Sequence, residues 1–548
     1  MFEIYLHFAA FSGSVLCMIT DTSTLPDDPA ELKKIIFELQ RQKQKEHDVF
    51  QKQIDLLHEE LRLAYAKFFG KKSEVFRGLN PQLPLFDIPE PEDIEKEPEE
   101  EHVEVPAHSR KKKGRKPLPE ELPRVEVVHD IAEEEKVCQC GSHLSRIGEE
   151  VCEKLDLIPA IIRVIKHIRP KYSCKSCEGI EDQGATVKIA PVPSQIIPKG
   201  IASGGLLAHI LCAKFEDALP FYRQEKQFAR LGVDVNRAAM CSWAMKTARQ
   251  CVPLLELLKK DLLSGPLVNA DETTVQVLAE PGRSPTSKSY MWVYRGGTSS
   301  SPVLLYDYHP SRSGNVAAAM LQSYSGAVQT DGYKGYDFLD TKEEVVHLGC
   351  WAHARRKFIE ADKARPKKAK PGSTAIALNF IKSLYKVEKD AKRKELAPKE
   401  LVQYRKKHSE PVLEKFKKWL DKKSLTTTPQ SLLGKAVSYC LKQWKRLKAY
   451  IQVGDATPDN NLAENAIRPF VVGRKNWLFA GTPDGANASA AIYSLIETAK
   501  ANKLDVYRYL RFLFENLPLA QSEEDYRKLL PTALSLDAMP PLPGFSAV

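Results

Sequence analysis

Apolar residues change their spacing several times along the chain, and each change marks a different kind of element. Between Pro29 and Gly70 there is no Pro or Gly, and apolar positions recur at Leu32, Ile36 and Leu39, then at Phe50, Ile54, Leu57, Leu61 and Ala64. Both sets keep a 4-3 spacing, but the phase slips around Lys43 and Glu46. The segment therefore predicts a long helix, either a coiled coil with a polar break or an amphipathic helix packed on its own protein. Helical patterning returns over residues 200–262, in "GGLLAHILCAKFEDALPFYRQEKQFARLG" and "NRAAMCSWAMKTARQCVPLLELLKKDLL". A helix, a turn at Leu231-Gly232 and a further helix capped near Asn236 fit a helix-turn-helix or a plain helical core.

From residue 266 the apolar period shortens to two. "PLVNADETTVQVL", "SYMWVYRG" and "SPVLLYDY" predict three strands joined by Gly, Ser and Pro turns. "SGNVAAAMLQSY" predicts a helix, "GAVQTDGYKGYD" a fourth strand ending at Asp331 and Gly332, and "EEVVHLGCWAHARRKFIEADK" a fifth strand leading into a basic helix. The expected order is βββαβαβ, with Asp271 in the first strand and Asp331 at the end of the fourth. Much farther on, "DNNLAENAIRPF" predicts a short helix that Pro469 ends. Asn461, Glu464, Asn465 and Arg468 share one face of it, and Leu462, Ala463, Ala466 and Ile467 the other.

Composition adds the setting. A chain of 548 residues exceeds the roughly 100–200 residues of one domain, so several are expected. Its 43% hydrophobic and 28% charged content is that of soluble globular protein. The net charge of +10 favours an acidic partner, nucleic acid above all. Eleven cysteines, an odd number in a long chain, indicate a reducing compartment rather than a disulfide scaffold. No apolar run long enough to span a membrane is expected. The opening residues, "MFEIYLHFAAFSGSVLCMIT", lack a basic start and are interrupted by Glu3 and His7. That favours an over-extended start, with Met18 as initiator, over a cleaved signal.

Two further stretches carry charge or ligand chemistry. Residues 80–108, rich in Pro and including "EPEDIEKEPEEE", read as a flexible linker. It runs into Arg110, Lys111, Lys112, Lys113, Arg115 and Lys116, a basic run suited to a phosphate backbone or to solvent alone. Cys138 and Cys140, with Cys174 and Cys177, form two close pairs at opposite ends of a β-rich segment. Four thiolates so arranged suit a structural zinc ion, with His143 and Cys152 as substitutes and free buried thiols as the alternative.

The strand order resembles the plan of ribonuclease-H-like nucleotidyl transferases. In-line phosphoryl displacement by two metal ions about 4 Å apart needs hard oxygen ligands, and three carboxylates suffice. Asp271 and Asp331 on neighbouring strands can converge, and a third must come from elsewhere. On pattern alone Glu464 is either that third group or half of a solvated Glu–Arg pair.

Taken together, "GRKPLP", "CQCG", "IGEEVCEKLDLIPAIIRVIKHIRPKYSC", "NADETTVQV", "TDGYKGY", "CWAHARRKF", "DNNLAENAIRPF" and "GRKNWLFAGTPDGANASAAIYSLIETAKAN" resemble, in order, the insertion sequence 66 family of bacterial DDE transposases. The resemblance implies an acidic triad of Asp271, Asp331 and Glu464 holding two Mg2+ or Mn2+ ions. It also implies a structural zinc module at residues 138–177, a leucine-zipper-like amino-terminal segment and a helical insertion over 362–450. Cys350 and His353 match a C-x-x-H motif, with a supporting role or a contact to DNA or metal. Arg355, Arg356 and Lys357 suit phosphate contacts or a solvated basic face, and Trp477 suits base stacking or the core. Glu272, next to Asp271, is expected to point away from the site.

The expected fold class is multidomain α+β. Its parts are an extension (1–28), a helical segment (29–79), a linker (80–117), a zinc-binding β domain (118–195) and a helical region (196–264). A ribonuclease-H-like core in two parts (265–361 and 451–500) follows, interrupted by the insertion (362–450), and then a helical tail (501–548). The implied function is binding of element ends, cleavage and strand transfer on DNA by a homo-oligomer in the bacterial cytoplasm, at the nucleoid, with small companion proteins of the same element. A nuclease without strand transfer and a non-enzymatic DNA-binding protein are the alternatives.

Overall fold

A computed structural model describes residues 28–69, 162–173, 187–366, 372–535 and 539. The amino-terminal extension up to residue 27, the acidic and basic linker with Arg110, Lys111, Lys112, Lys113, Arg115 and Lys116, and the zinc-ligand candidates Cys138, Cys140, Cys174 and Cys177 lie outside the described residues. The described chain forms two compact units. The first comprises 28–69, 255–366, 372–474 and 478–498; the second comprises 162–173, 187–254, 475–477, 499–535 and 539. Among the described residues no helix is long and apolar enough to cross a membrane.

The first unit is built on one mixed five-stranded sheet. Its strands are β1 (Leu267–Gln276), β2 (Lys288–Gly297), β3 (Pro302–His309), β4 (Gly326–Gln329) and β5 (Val345–Leu348). In space they run β3-β2-β1-β4-β5, with β1, β2 and β3 antiparallel and β4 and β5 parallel to β1. The interior strands are sealed on both faces: Val268, Ala270, Met291, Trp292, Val293 and Tyr294 are fully buried. Strand β1 begins buried and opens at Asp271, so burial fades where polar chemistry starts. Gly265 lets the chain enter β1, because a Cβ there would fall 2.1 Å from the Gly297 carbonyl oxygen.

The connection between β4 and β5 is a 3-10 segment, Lys334–Thr341, where the pattern predicted an α-helix. Its charged residues are spent on tertiary contacts, since Asp337 and Asp340 both pair with Arg446. The outer edge of β3 is closed by a helix rather than left open. Ser494 Oγ accepts from Tyr306 N at 2.8 Å, and Thr498 Oγ1 both accepts from Leu304 N and donates to its carbonyl, each at 3.0 Å. Spaced four apart on a helix, these hydroxyls satisfy the groups a missing strand would have paired.

A long helix, α1 (Pro29–Phe69), leaves Ile36, Phe37, Leu39, Phe50, Ile54, Leu57 and Leu61 exposed. Among the described residues its last turns are tied down: Arg62 Nε donates to the Ala364 carbonyl at 2.7 Å, and Glu59 accepts from Leu432 N at 3.0 Å. After β5 comes α2 (Trp351–Lys363), then α3 (Ser373–Arg393), α4 (Pro398–His408), α5 (Glu410–Thr426), α6 (Leu432–Lys442) and α7 (Trp444–Ala449). They share a core of Trp351, Phe358, Leu384, Phe416, Leu420, Val437 and Leu447. Arg405 of α4 is fully buried, forked onto Glu388 at 2.7 and 2.9 Å and donating to the carbonyls of Tyr450, Val453 and Ala456. The chain then enters α8 (Asn461–Trp477) and α9 (Pro483–Ala501).

The second unit holds a short antiparallel strand pair, Lys171–Ser173 with Val187–Ile189. Its helices include Gly204–Phe215, Phe221–Arg230, Arg237–Gln250 and Val506–Asn516, the first and last packed together. The turn at Gly232 adopts a positive φ of 76°, which glycine enters without strain. Asn236 then caps the next helix, its Oδ1 accepting from Ala239 N at 2.8 Å.

One buried histidine makes the first unit sensitive to acid. His347 sits between Asp340 Oδ1 and Thr330 Oγ1, each at 2.9 Å. Burial, with the Arg446 charge adding to it, pushes its pKa from 6.5 down to about 4, so it is neutral in the folded chain. An unfolded chain binds the proton first, so stability falls as pH drops from 6.5 towards 4 and is unaffected by this group above 6.5. The loss is roughly 3 kcal/mol. Urea midpoints measured across that window should show the slope in the wild type and lack most of it in His347→Asn; equal slopes would count against this assignment.

Candidate active site

The site begins with strand register. In the parallel pair, Asn269 on β1 stands opposite Gln329 on β4. Their side chains meet: Asn269 Nδ2 donates to Gln329 Oε1 at 3.0 Å. Side chains two residues apart share a face, so Asp271 follows Asn269 on that face, and Asp331 lies two residues beyond Gln329. The two aspartates stand within electrostatic reach, since the Asp331 charge acts on the Asp271 carboxyl. Beyond the strand end, Asp331 Oδ1 accepts from Tyr333 N at 2.8 Å, a local turn that fixes its carboxylate.

Asn460, directly before α8, anchors the helix that carries Glu464. Its Nδ2 donates to the Ala270 carbonyl at 2.9 Å, and its Oδ1 accepts from Asn269 Nδ2 at 3.0 Å. Its backbone N–H meets Cys350 Sγ at 3.3 Å. Gln329 Nε2 holds the approach to the helix through the carbonyls of Gly349 and Thr457, at 3.2 and 2.8 Å. One helical turn after Asn460 comes Glu464, whose N–H bonds back to the Asn460 carbonyl at 3.2 Å. At the other end of α8, Ala480 N donates to the Gln276 carbonyl at 2.9 Å. The helix is thus tied to β1 before and after the glutamate.

The electrostatics agree with this geometry. Burial pushes the Asp271 carboxyl up to about 8, and the negative charges of Glu272, Asp331 and Glu464 push in the same direction. Among the described residues no lysine or arginine pairs with Asp271 or Asp331. Glu272 has its own partners, Arg312 Nη2 at 2.6 Å and Tyr336 Oη at 2.7 Å. Burial still outweighs those bonds and raises its carboxyl.

Around Glu464, His353 Nδ1 lies 3.6 Å from Oε1 and Arg356 Nη2 lies 3.9 Å from Oε2. Burial holds the imidazole of His353 below its ordinary value and pushes the Cys350 thiol up to about 12. Arg355 is half-buried and Arg356 exposed on the same helix, and Lys357 Nζ lies 4.9 Å from the Tyr439 ring. Asn461 and Arg468 are exposed and Asn465 half-buried. Trp477 belongs to the second unit, half-buried, with Lys214 Nζ 5.5 Å from its ring.

Pro469 does not end the helix, which runs on to Trp477 with the proline inside it. Its ring costs the bond to the Asn465 carbonyl, a penalty of about 3 kcal/mol in a helix interior. Apolar positions nevertheless continue in phase: Ala463, Ala466, Ile467, Phe470 and Gly473 are buried, and Tyr306 Oη donates to the Ala466 carbonyl. Packing outweighs the lost bond.

Asn269, Gln329, Asn460 and Arg474 are the residues that the sequence reading passed over. Arg474 Nη1 reaches Thr273 Oγ1 and Thr274 Oγ1 at 3.3 and 3.2 Å. A signal for two of them was there to read: an amide in an otherwise apolar strand, two residues before each aspartate, in "VNAD" and "VQTD".

Comparison with known proteins adds the following. Residues 199–488 match the family model described as "Transposase IS66 family". Residues 56–127 match "Transposase C of IS166 homeodomain", 135–178 the "zinc-finger binding domain of transposase IS66" and 494–532 the "IS66 C-terminal element". Among curated relatives, the uncharacterized protein y4jD of Sinorhizobium fredii (strain NBRC 101917 / NGR234) is 32% identical over 502 residues, 87% of this chain and 94% of that one. The uncharacterized protein y4qI of the same strain is 31% identical over 430 residues, 76% and 77% of the two chains.

Proposed function

The chain belongs to the IS66 family of transposases, and from that membership we propose that it binds the ends of an insertion sequence, cleaves there and joins the freed end to target DNA. The observation that carries the reading is the set of bonds through Asn460, which ties the helix of Glu464 to the strand of Asp271 beside Asp331. The sheet order, antiparallel through β3, β2 and β1 and then parallel through β4 and β5, supports a ribonuclease-H-like core.

The donor set fits divalent ions: hard oxygen ligands, mutually repelling, without a paired basic side chain on either aspartate. Asp271, Asp331 and Glu464 would hold two Mg2+ or Mn2+ ions, which supply charge stabilisation to in-line displacement at a phosphate. The chain's own groups do the rest. Asn269, Gln329 and Asn460 fix where the carboxylates stand. Arg355, Arg356 and Lys357, on α2 beside Glu464, contact the phosphate backbone and set its register. Asn461, Asn465 and Arg468 line the exposed side of α8, where a DNA strand reaches the site. Water attacks first, and the 3′ hydroxyl it releases then attacks target DNA, so no serine or tyrosine nucleophile is required.

Other parts of the chain serve the same reaction. The zinc-finger match over 135–178 supports zinc on Cys138, Cys140, Cys174 and Cys177. The exposed apolar positions of α1 support self-association. Incubation of the protein with labelled element-end DNA, target DNA and Mg2+ tests the whole reading. Joined products are expected; nicked ends without any joined product would point to a nuclease instead.

A further inference from the structure

His353 Nδ1 and Glu464 Oε1 are shielded from solvent, make no hydrogen bond, and face each other at 3.6 Å. Cys350 completes the group: one ligand atom from each of Cys350, His353 and Glu464 lies within 4.8 Å of the others. The C-x-x-H spacing produces this, because residues three apart at a helix start lie on one side. Cys350 is the residue before α2, and its sulfur meets the backbone N–H of Asn460 at 3.3 Å and is bonded by the His353 backbone as well. Burial holds the sulfur as a thiol in the free protein, and coordination to a cation is what displaces its proton.

We propose that Cys350, His353 and Glu464 bind a single soft divalent cation of the zinc class, and that this ion draws Glu464 away from Asp271 and Asp331. The binding site stands on its own geometry; its effect on DNA cleavage rests on the catalytic reading of Glu464. Thiolate and imidazole select zinc-class ions, whereas the carboxylates of Asp271 and Asp331 suit Mg2+ or Mn2+. Three protein ligands with a fourth position open to water is an established zinc arrangement. Bonds of about 2.0–2.3 Å place tetrahedral ligand atoms roughly 3.5 Å apart, so side-chain rotations of about 1 Å close the set. Binding releases the thiol proton to solvent, and His353 coordinates in its neutral form, with the N–H on Nε2. Glu464 cannot point both ways at once, so the soft ion antagonises cleavage.

The test is metal content. Full-length protein is dialysed against Zn2+ in excess Mg2+, and bound zinc per chain is counted in wild type and variants. Wild type should carry one more zinc than Cys350→Ser or His353→Ala, and Glu464→Gln should bind that ion at least tenfold more weakly. His353→Cys, which exchanges one soft donor for another, should keep it and so separate ligand loss from misfolding. Asp271→Asn should also keep it while losing strand cleavage. Equal zinc in wild type, Cys350→Ser and His353→Ala would overturn the proposal, as would unchanged affinity in Glu464→Gln or loss of the ion from His353→Cys. Undiminished cleavage by Asp271→Asn would refute the catalytic reading alone, and the zinc counts would still decide the site.

Discussion

Glu464→Gln should lose element-end cleavage by at least about three orders of magnitude while retaining DNA binding. The substitution keeps the shape of the side chain and removes one negative charge from the surroundings of Asp271, whose carboxyl is raised chiefly by burial and further by Glu272, Asp331 and Glu464. Charge stabilisation by divalent ions is worth several kcal/mol, and each 1.36 kcal/mol is about tenfold in rate. Binding should persist because the proposed phosphate contacts belong to other groups, Arg355, Arg356 and Lys357. Cleavage and a mobility-shift assay on the same DNA separate the two. Glu272→Gln is the contrast: that carboxylate is engaged with Arg312 and Tyr336, so the change should cost stability more than rate. Full cleavage by Glu464→Gln would remove it from the catalytic set.

Arg405→Met should destabilise the helical insertion by about 3–5 kcal/mol. The guanidinium is buried between the Glu388 carboxylate and the carbonyls of Tyr450, Val453 and Ala456. Methionine fills much of the volume but leaves an uncompensated charge and removes one donor from each of three carbonyls, of which those of Tyr450 and Val453 keep a backbone N–H from Val453 and Ala456. Arg405→Lys should recover little, since an ammonium cannot fork onto a carboxylate and reach three carbonyls together. Removing both charges, Arg405→Met with Glu388→Leu, should recover much of the loss. Trp351, Trp419 and Trp444 all belong to this cluster, so tryptophan fluorescence in a urea titration reports on it. A loss below about 1 kcal/mol would contradict the claim that this buried clamp holds the helical insertion together.

The strands around the carboxylates were legible because short-range pattern and burial coincide there. "LVNADETTVQ" is β1 from end to end, and its β-branched residues suit a half-buried pleat. The mixed α+β class and the family followed from motifs that keep their order along the chain, and the family matches bear both out. What stayed hidden depends on partners far away in sequence. Asn460 reads as an ordinary helix cap, and only the packed sheet reveals that it spends its amide on Ala270 and Asn269. Arg405 carries no local sign of burial in its sequence neighbourhood "QYRKKH", yet it is fully buried. Pro469 was read by its local rule, and the apolar face of α8 overrode that rule by burying residues on both sides of it. The segment Lys334–Thr341 followed its ion pairs to Arg446 rather than helical periodicity.

The central claim is that three carboxylates from separate parts of the chain hold the same divalent ions. Fe2+ in place of Mg2+, with ascorbate and peroxide, generates hydroxyl radicals that cut the backbone beside bound iron. Fragments ending near residues 271, 331 and 464 together, suppressed by excess Mg2+ and absent in Asp271→Asn, are the predicted result. Cuts confined to the cysteine-rich segment and to residues 350–353, with none near 271 or 331, would contradict it.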